Sequence, residues 1–322
     1  MKAHNRSVQW LLDSDPAIKW QVMRDLLHSR EGEFLEERGN VAKMGLGAAL
    51  LSTQQSDGSW GGCAWNGGWN STMHVLMLLR EFGIDPKSDV VRQAIEKVAT
   101  GVKWGHCGPR ECASNRFFEG EIETCINAQV VTVGAYFGQD VSELIRRLLQ
   151  EQLSDGGWNC DAAGGARHSS FNTTICVLEA LLEFERFVGR DETVRDARVR
   201  GDEYLLQRNL FFRRSTRQPI MIDRKDGRSL ESGEPVWTAF SFPVWWHYDI
   251  LRALDYFRST DSGPDERLAD AASVLASKNS GNDRWLLDWR YPGVMPLDMG
   301  EDVGKPSKWN TLRACRVLNW YY

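Results

Sequence analysis

The chain lacks a basic excess: 39 Lys and Arg stand against 44 Asp and Glu, a formal charge of −5 over 322 residues. Proteins that grip nucleic acid need surplus cations to neutralise phosphates and release counterions, so nucleic acid is not an expected partner. Long apolar runs are missing too. No stretch reaches the roughly eighteen apolar residues of a membrane helix, and the mean hydropathy of −0.43 agrees, so no integral membrane segment is expected. The opening MKAHNRSVQWLLDSD has no apolar core of a secretory leader. Seven cysteines, at 63, 107, 112, 125, 160, 176 and 315, are odd in number and scattered, unlike the dense framework of a small secreted domain. The expectation is a cytoplasmic protein with reduced thiols. Convincing runs of alternating strand residues are also absent, which argues against a sheet-based fold.

What is present is aromatic and repetitive: 14 Trp and 13 Phe beside 29 Gly. LLSTQQSDGSW (50–60) and LLQEQLSDGGW (148–158) place Leu, Gln, Asp, Gly and Trp in register, and LASKNSGNDRW sets Leu275 and Trp285 in the same relation. Such self-similarity marks a fold built by repetition. Each copy precedes a helix-period segment: 71–82, 123–137, 172–184, 246–257 and 310–320. These are apolar nearly all round and read as inner helices, whereas the segments 16–28, 31–53, 88–99, 141–152, 191–208 and 264–277 are amphipathic and charged and read as outer ones. Inner and outer helices in alternation give an all-α fold, an α/α toroid of about six helix pairs around a central cavity, with residues 1–322 forming a single domain.

The Q-x-x-x-D-G-x-W blocks resemble the QW repeats of the terpenoid cyclase and protein prenyltransferase superfamily. DPAIKWQVMRDLL, FFEGEIETCINAQVVTVGAYFGQDV, LSDGGWNC, SSFNTTICVLEALLEFER, FSFPVWWHYDILRALDYFR and KPSKWNTLRACRVLNW are similar to segments of bacterial squalene-cyclase-like or prenyltransferase-like proteins. The resemblance covers nearly the whole chain and implies one toroid whose ligand is an apolar, isoprenoid-like small molecule. It does not carry over either parent mechanism. Class II cyclases share a D-x-D-D motif whose central Asp protonates the substrate, and the nearest segments here, DSDP (13–16) and DMGED (298–302), do not match it. Protein prenyltransferases share a zinc site of Asp-x-Cys with a distant His, and no Asp-x-Cys occurs.

Alignment of the inner segments through Phe82, Phe137, Phe184, Phe257 and Trp320 sets Thr72, Asn127, Thr174, His247 and Asn310 in one polar layer near the helix starts. These are expected as substrate contacts at a cavity mouth or, alternatively, as first-turn residues bonding backbone groups. His247 stands out as a catalytic candidate because Trp245, Trp246, Tyr248 and Asp249 surround it in sequence, the first three being substrate-binding candidates. Glu119, Glu121 and Glu123 alternate before an inner helix, and Asp298, Glu301 and Asp302 form a second acidic loop. Glu121, Glu123 and Asp302 are the acid–base candidates, with dipole complementation as the alternative.

No cofactor or metal is assigned, although Cys125, Cys160 and His247 are a conceivable zinc set; His106, Cys107 and Cys112 read as a loop. The arginine-rich segment 208–228 suits either a diphosphate or a solvated loop. Trp60 and Trp158 are expected to be structural, while Trp65 and Trp69 are candidates for a cavity wall. Three functional classes follow: an enzyme using carbocation or acid–base chemistry in an aromatic cavity, a non-catalytic toroid holding a lipid or protein segment, and a carbohydrate-active enzyme with a carboxylate pair drawn from the two acidic loops.

Overall fold

The computed structural model describes residues 5–105, 112–162, 164–223, 227–260 and 262–322. Among these lie thirteen α-helices: α1 (Asn5–Leu12), α2 (Pro16–Asp25), α3 (Glu31–Arg38), α4 (Gly45–Ser52), α5 (Thr72–Glu81), α6 (Asp89–Gly101), α7 (Thr124–Tyr136), α8 (Ser142–Gln150), α9 (Phe171–Phe187), α10 (Glu192–Leu206), α11 (Ile250–Ser259), α12 (Ala269–Ser277) and α13 (Lys308–Tyr321). The extended structure is one two-stranded antiparallel ladder, β1 (Trp285–Leu286) against β2 (Pro306–Ser307). The fold is all-α.

Six helices form the inner ring. Every residue of α7 from Thr124 to Tyr136 is buried, as its all-round apolar pattern requires. It packs on α5 and on α9, and α11 packs on α13, which packs on α2. Polar bonds join the other neighbours: Arg252 of α11 reaches Glu179 of α9 at 2.8 and 2.6 Å, and Trp20 of α2 donates to the carbonyl of Phe82, just past α5, at 2.8 Å. The ring therefore closes through α2, α5, α7, α9, α11 and α13. Amphipathic outer helices cover it; α8 shows the pattern plainly, burying Leu144, Ile145 and Leu148 while Glu143 and Arg146 face water.

The single helix expected over 31–53 is two, α3 and α4. Gly45 has φ +69°, and a Cβ there would come within 2.0 Å of the Asp15 carboxylate. That carboxylate instead caps α2 through the Ala17 N–H and accepts the Leu46 N–H at 2.8 Å. α3 ends at Arg38, and the left-handed Gly45, a conformation glycine tolerates, starts α4 after the intervening turns.

The tryptophans of the repeats do one job three times. The indoles of Trp60, Trp158 and Trp285 donate to the carbonyls ten residues earlier, Leu50, Leu148 and Leu275, at 2.7–2.8 Å. Their backbone N–H groups donate to the hydroxyls of Thr72, Thr174 and Thr311, each at 3.0 Å. Gln54 and Gln152 complete two of the copies, donating to Gly58 and Ala94 and to Gly156 and Ala197 respectively. Each block thus ties the end of an outer helix to the start of the next inner helix. No helix among the described residues is long and apolar enough to cross a membrane.

Candidate functional site

Two chambers of similar size sit at the two ends of the ring. The one at the inner-helix C-termini, about 620 Å³, is lined by ionic groups including Arg80, Glu183, Asp255 and Arg316. The other, about 640 Å³, opens where the loops enter the inner helices and is walled by Trp65, Trp69, Trp246, Trp289 and Tyr291. Trp245 lines the first and stacks on Trp69 of the second, centroids 5.1 Å apart and planes 8° from parallel. Trp245 holds φ +56°, a conformation a bulky residue adopts only when its surroundings dictate it. Here the ring stacks on Trp69 of the aromatic chamber and meets His74 edge-on, while the carbonyl accepts from Arg252.

Loops far apart in sequence build this chamber. Trp69 donates from its backbone to Val294 and from its indole to Pro292, both at 3.0 Å. Gly293 between them has φ +147°, and a Cβ there would fall 2.6 Å from the Trp69 indole nitrogen, so a side chain at that position would separate the two loops. His247 is stacked between Trp246 (3.7 Å) and Tyr291 (3.5 Å). Its carbonyl and that of Trp245 accept from the Arg252 guanidinium, which fixes the loop. Arg228 lies 5.7 Å from the Trp289 ring and 5.3 Å from the Tyr291 ring. It is the member of the 208–228 arginine run that reaches the chamber, whereas Arg213, Arg214 and Arg217 are exposed and Arg224 and Lys225 lie outside the described residues.

Of the residues singled out in the sequence, the chamber brings together His247, Trp246 and Glu123 with Trp65, Trp69 and Cys125. The other acid–base and substrate-contact candidates stand elsewhere. Asp302 is exposed and does not line it. Glu121 is buried with its carboxylate turned back on the Glu123 N–H at 2.5 Å; burial raises its pKa, which the hydrogen bonds it accepts oppose. Tyr248 is core, its hydroxyl on the Leu210 carbonyl and its ring on Phe171 and Trp237. The four members of the polar layer besides His247 bond backbone groups. Thr72 and Thr174 hold the repeat tryptophans, Asn127 pairs with both backbone groups of Glu121, and Asn310 donates to Leu286. In α13 the threonine role belongs to Thr311, one residue past the aligned Asn310, and His247 precedes α11 instead of opening it. His106 and Cys107 lie outside the described residues.

Two further groups are buried: His74, which nothing in the sequence marks, and Asp249, marked only as a neighbour of His247. His74, on α5, touches Trp69 and Trp245 edge-on at 5.1 Å and pairs through Nδ1 with Ser71 at 2.8 Å. Burial pushes its pKa down to about 3, so the ring is neutral near pH 7. Asp249 caps α11 through the Arg252 N–H at 2.7 Å. Burial raises its pKa, while Arg313, Arg228 and Arg252 pull it back.

No protein-family model matches the chain, and no curated protein does. Among solved structures, the type II terpene cyclase MstE from Scytonema in its apo form is similar at 18% identity and a TM-score of 0.43, over 94% of this chain and 86% of that one. Its tyrosine-to-phenylalanine variant is similar at 18% identity and a TM-score of 0.42, over 95% and 86%. The all-α ring described above rests on the helices and bonds of this chain itself.

Proposed function

We propose that the chain is one toroid domain that binds an apolar, isoprenoid-like molecule in its aromatic chamber and acts on it there by acid–base chemistry through a cationic intermediate. The observation that carries this reading is the wall of four tryptophans and a tyrosine around about 640 Å³, a volume within the usual range of about 300–1,000 Å³ for small-molecule sites. Aromatic faces favour an apolar guest and attract positive charge that develops on it. The lining groups able to hold or move a proton include Cys125 and Tyr291, and among them Glu123 at the rim and His247 in the wall are of the types that most often do so. Glu123 is also the one carboxylate among the described lining residues. A glycosidase needs a second across the cleft, and Asp298 and Asp302 are exposed outside the chamber, so the carbohydrate reading has no support from the geometry.

Incubation with farnesol, geranylgeraniol or squalene, followed by gas chromatography–mass spectrometry, tests the proposal. Wild type is expected to yield products isomeric with the substrate, and Glu123→Gln and His247→Gln to slow their formation by about 10²–10⁴-fold, the usual worth of general acid–base groups. Tight binding of all three without any product would replace the catalytic reading with that of a binding toroid.

A further inference from the structure

We propose that Glu123, Cys125 and Cys160 form a binding site for a thiophilic divalent cation of the zinc class. Their donor atoms all lie within 4.8 Å of one another, and Cys125 Sγ is 3.8 Å from Glu123 Oε2. Around a tetrahedral zinc, with bonds of about 2.3 Å to sulfur and 2.1 Å to oxygen, a sulfur and an oxygen stand about 3.6 Å apart and two sulfurs about 3.8 Å. The three donors therefore need to close by no more than about 1 Å to share an ion.

Three features hold the donors in place. Glu123 is the N-cap position of α7 and Cys125 the second residue of that helix. Cys160 comes from the turn after Trp158, where its N–H donates to Thr173 Oγ1 at 3.3 Å and its Sγ lies 3.2 Å from the same hydroxyl. Thr124 Oγ1 donates to the Asn159 carbonyl at 3.4 Å, tying the start of α7 to that turn. A hydroxyl behind a ligating sulfur is the outer support that ordered metal sites carry.

Two thiolates with one carboxylate match zinc better than magnesium or calcium, which prefer oxygen throughout. The set departs from the one the sequence suggests. His247 is held in its aromatic sandwich, and Glu123 takes the third place. It also has neither the aspartate nor the histidine of the prenyltransferase motif, and its second thiol comes from a separate turn. Glu123 and Cys125 both line the aromatic chamber, so an ion held there with three protein ligands would border that space, and a fourth ligand would come from water or a guest, as in reactive rather than purely structural zinc.

The readout uses the metal alone, so its failure and that of the apolar-ligand reading are distinguishable; with an ion bound, Glu123 would be a ligand and the proton-handling role in that reading would rest on His247. The full-length protein, stripped with a chelator under reducing conditions, is titrated with Co²⁺ and then with Zn²⁺. One equivalent of cobalt is expected to give a near-ultraviolet thiolate-to-cobalt charge-transfer band, which zinc abolishes. Cys125→Ser and Cys160→Ser are expected to weaken zinc binding by more than about a hundredfold, beyond the usual loss for an outer-shell change. Glu123→Gln is expected to weaken it less, and Cys315→Ala, remote on α13, to bind as wild type does. Wild type without the charge-transfer band, or serine variants that bind as tightly as wild type, would overturn the proposal. Should a serine variant fail to fold, the wild-type band decides.

Discussion

Replacing Trp158 with alanine is expected to lower stability by about 3–5 kcal/mol, the usual loss for a buried large aromatic, and to reduce the melting temperature by about 4–7 °C for a chain of this size. The side chain is fully buried. Its removal leaves the Leu148 carbonyl without the indole donor at 2.7 Å and opens a cavity against α10, where Gly201 lies so close that a Cβ would be 2.7 Å from the Trp158 ring. Trp60→Ala is expected to behave alike, because its bonds to Leu50 and Thr72 repeat the same pattern. Differential scanning calorimetry of both variants checks this. Melting that matches the parent would mean that these residues do not hold the ring together.

Asp255→Asn is expected to cost about 3–5 kcal/mol, the range for breaking a buried ion pair from one side. Asp255 accepts from Arg316 Nε at 2.9 Å and from Arg258 Nε at 2.8 Å, with Arg313 at 3.8 Å. Arg316 also donates to Gln21 at 2.9 Å and lies 3.5 Å from Asp25 of α2. The cluster thus joins α11, α13 and α2 where the first and last inner helices meet. Without the carboxylate, three buried or half-buried guanidiniums lose a shared counter-charge.

The same group sets a pH dependence. Burial alone would raise the Asp255 pKa, but Arg316, Arg258 and Arg313 overcome it and hold the carboxyl well below its usual range. A depressed folded-state value stabilises the fold above the unfolded value of about 3.9 and loses that contribution as pH falls below it. Urea denaturation between neutral pH and about pH 3 should therefore show a steeper acid loss in wild type than in Asp255→Asn. Parallel curves would remove Asp255 from the account of ring closure.

The repeats were legible in the sequence because their chemistry is local. A Trp bonds a carbonyl ten residues back, and a Gln bonds a glycine carbonyl four residues on, so fixed spacing is itself the signal. The chamber was only partly legible because it is assembled from loops near 65–69, 123–126, 227–229, 246–247 and 289–292. His247, Trp246 and Glu123 stood out by their neighbours, and Trp65 and Trp69 by their place after a repeat. Nothing local distinguishes Trp289 and Tyr291: Tyr291 stacks on a histidine more than forty residues away in sequence, and Trp289 lies under Arg228. Asp302 lies outside the chamber lining, and its place is illegible in sequence for the converse reason. An acidic loop before a helix looks the same whether it faces a cavity or water, and here Glu301 turns inward to accept from Ser307 and the backbone at the start of α13 while Asp302 stays outside.

The central claim is that the aromatic chamber is the binding site, and filling it tests that most directly. Ser229 is exposed and lines the chamber, so Ser229→Trp adds bulk there without removing a core contact. Isothermal titration with farnesol should show one molecule bound per chain of wild type and at least about tenfold weaker binding to Ser229→Trp at an unchanged melting temperature. Equal affinity for farnesol in the two proteins would contradict the assignment of this chamber as the site.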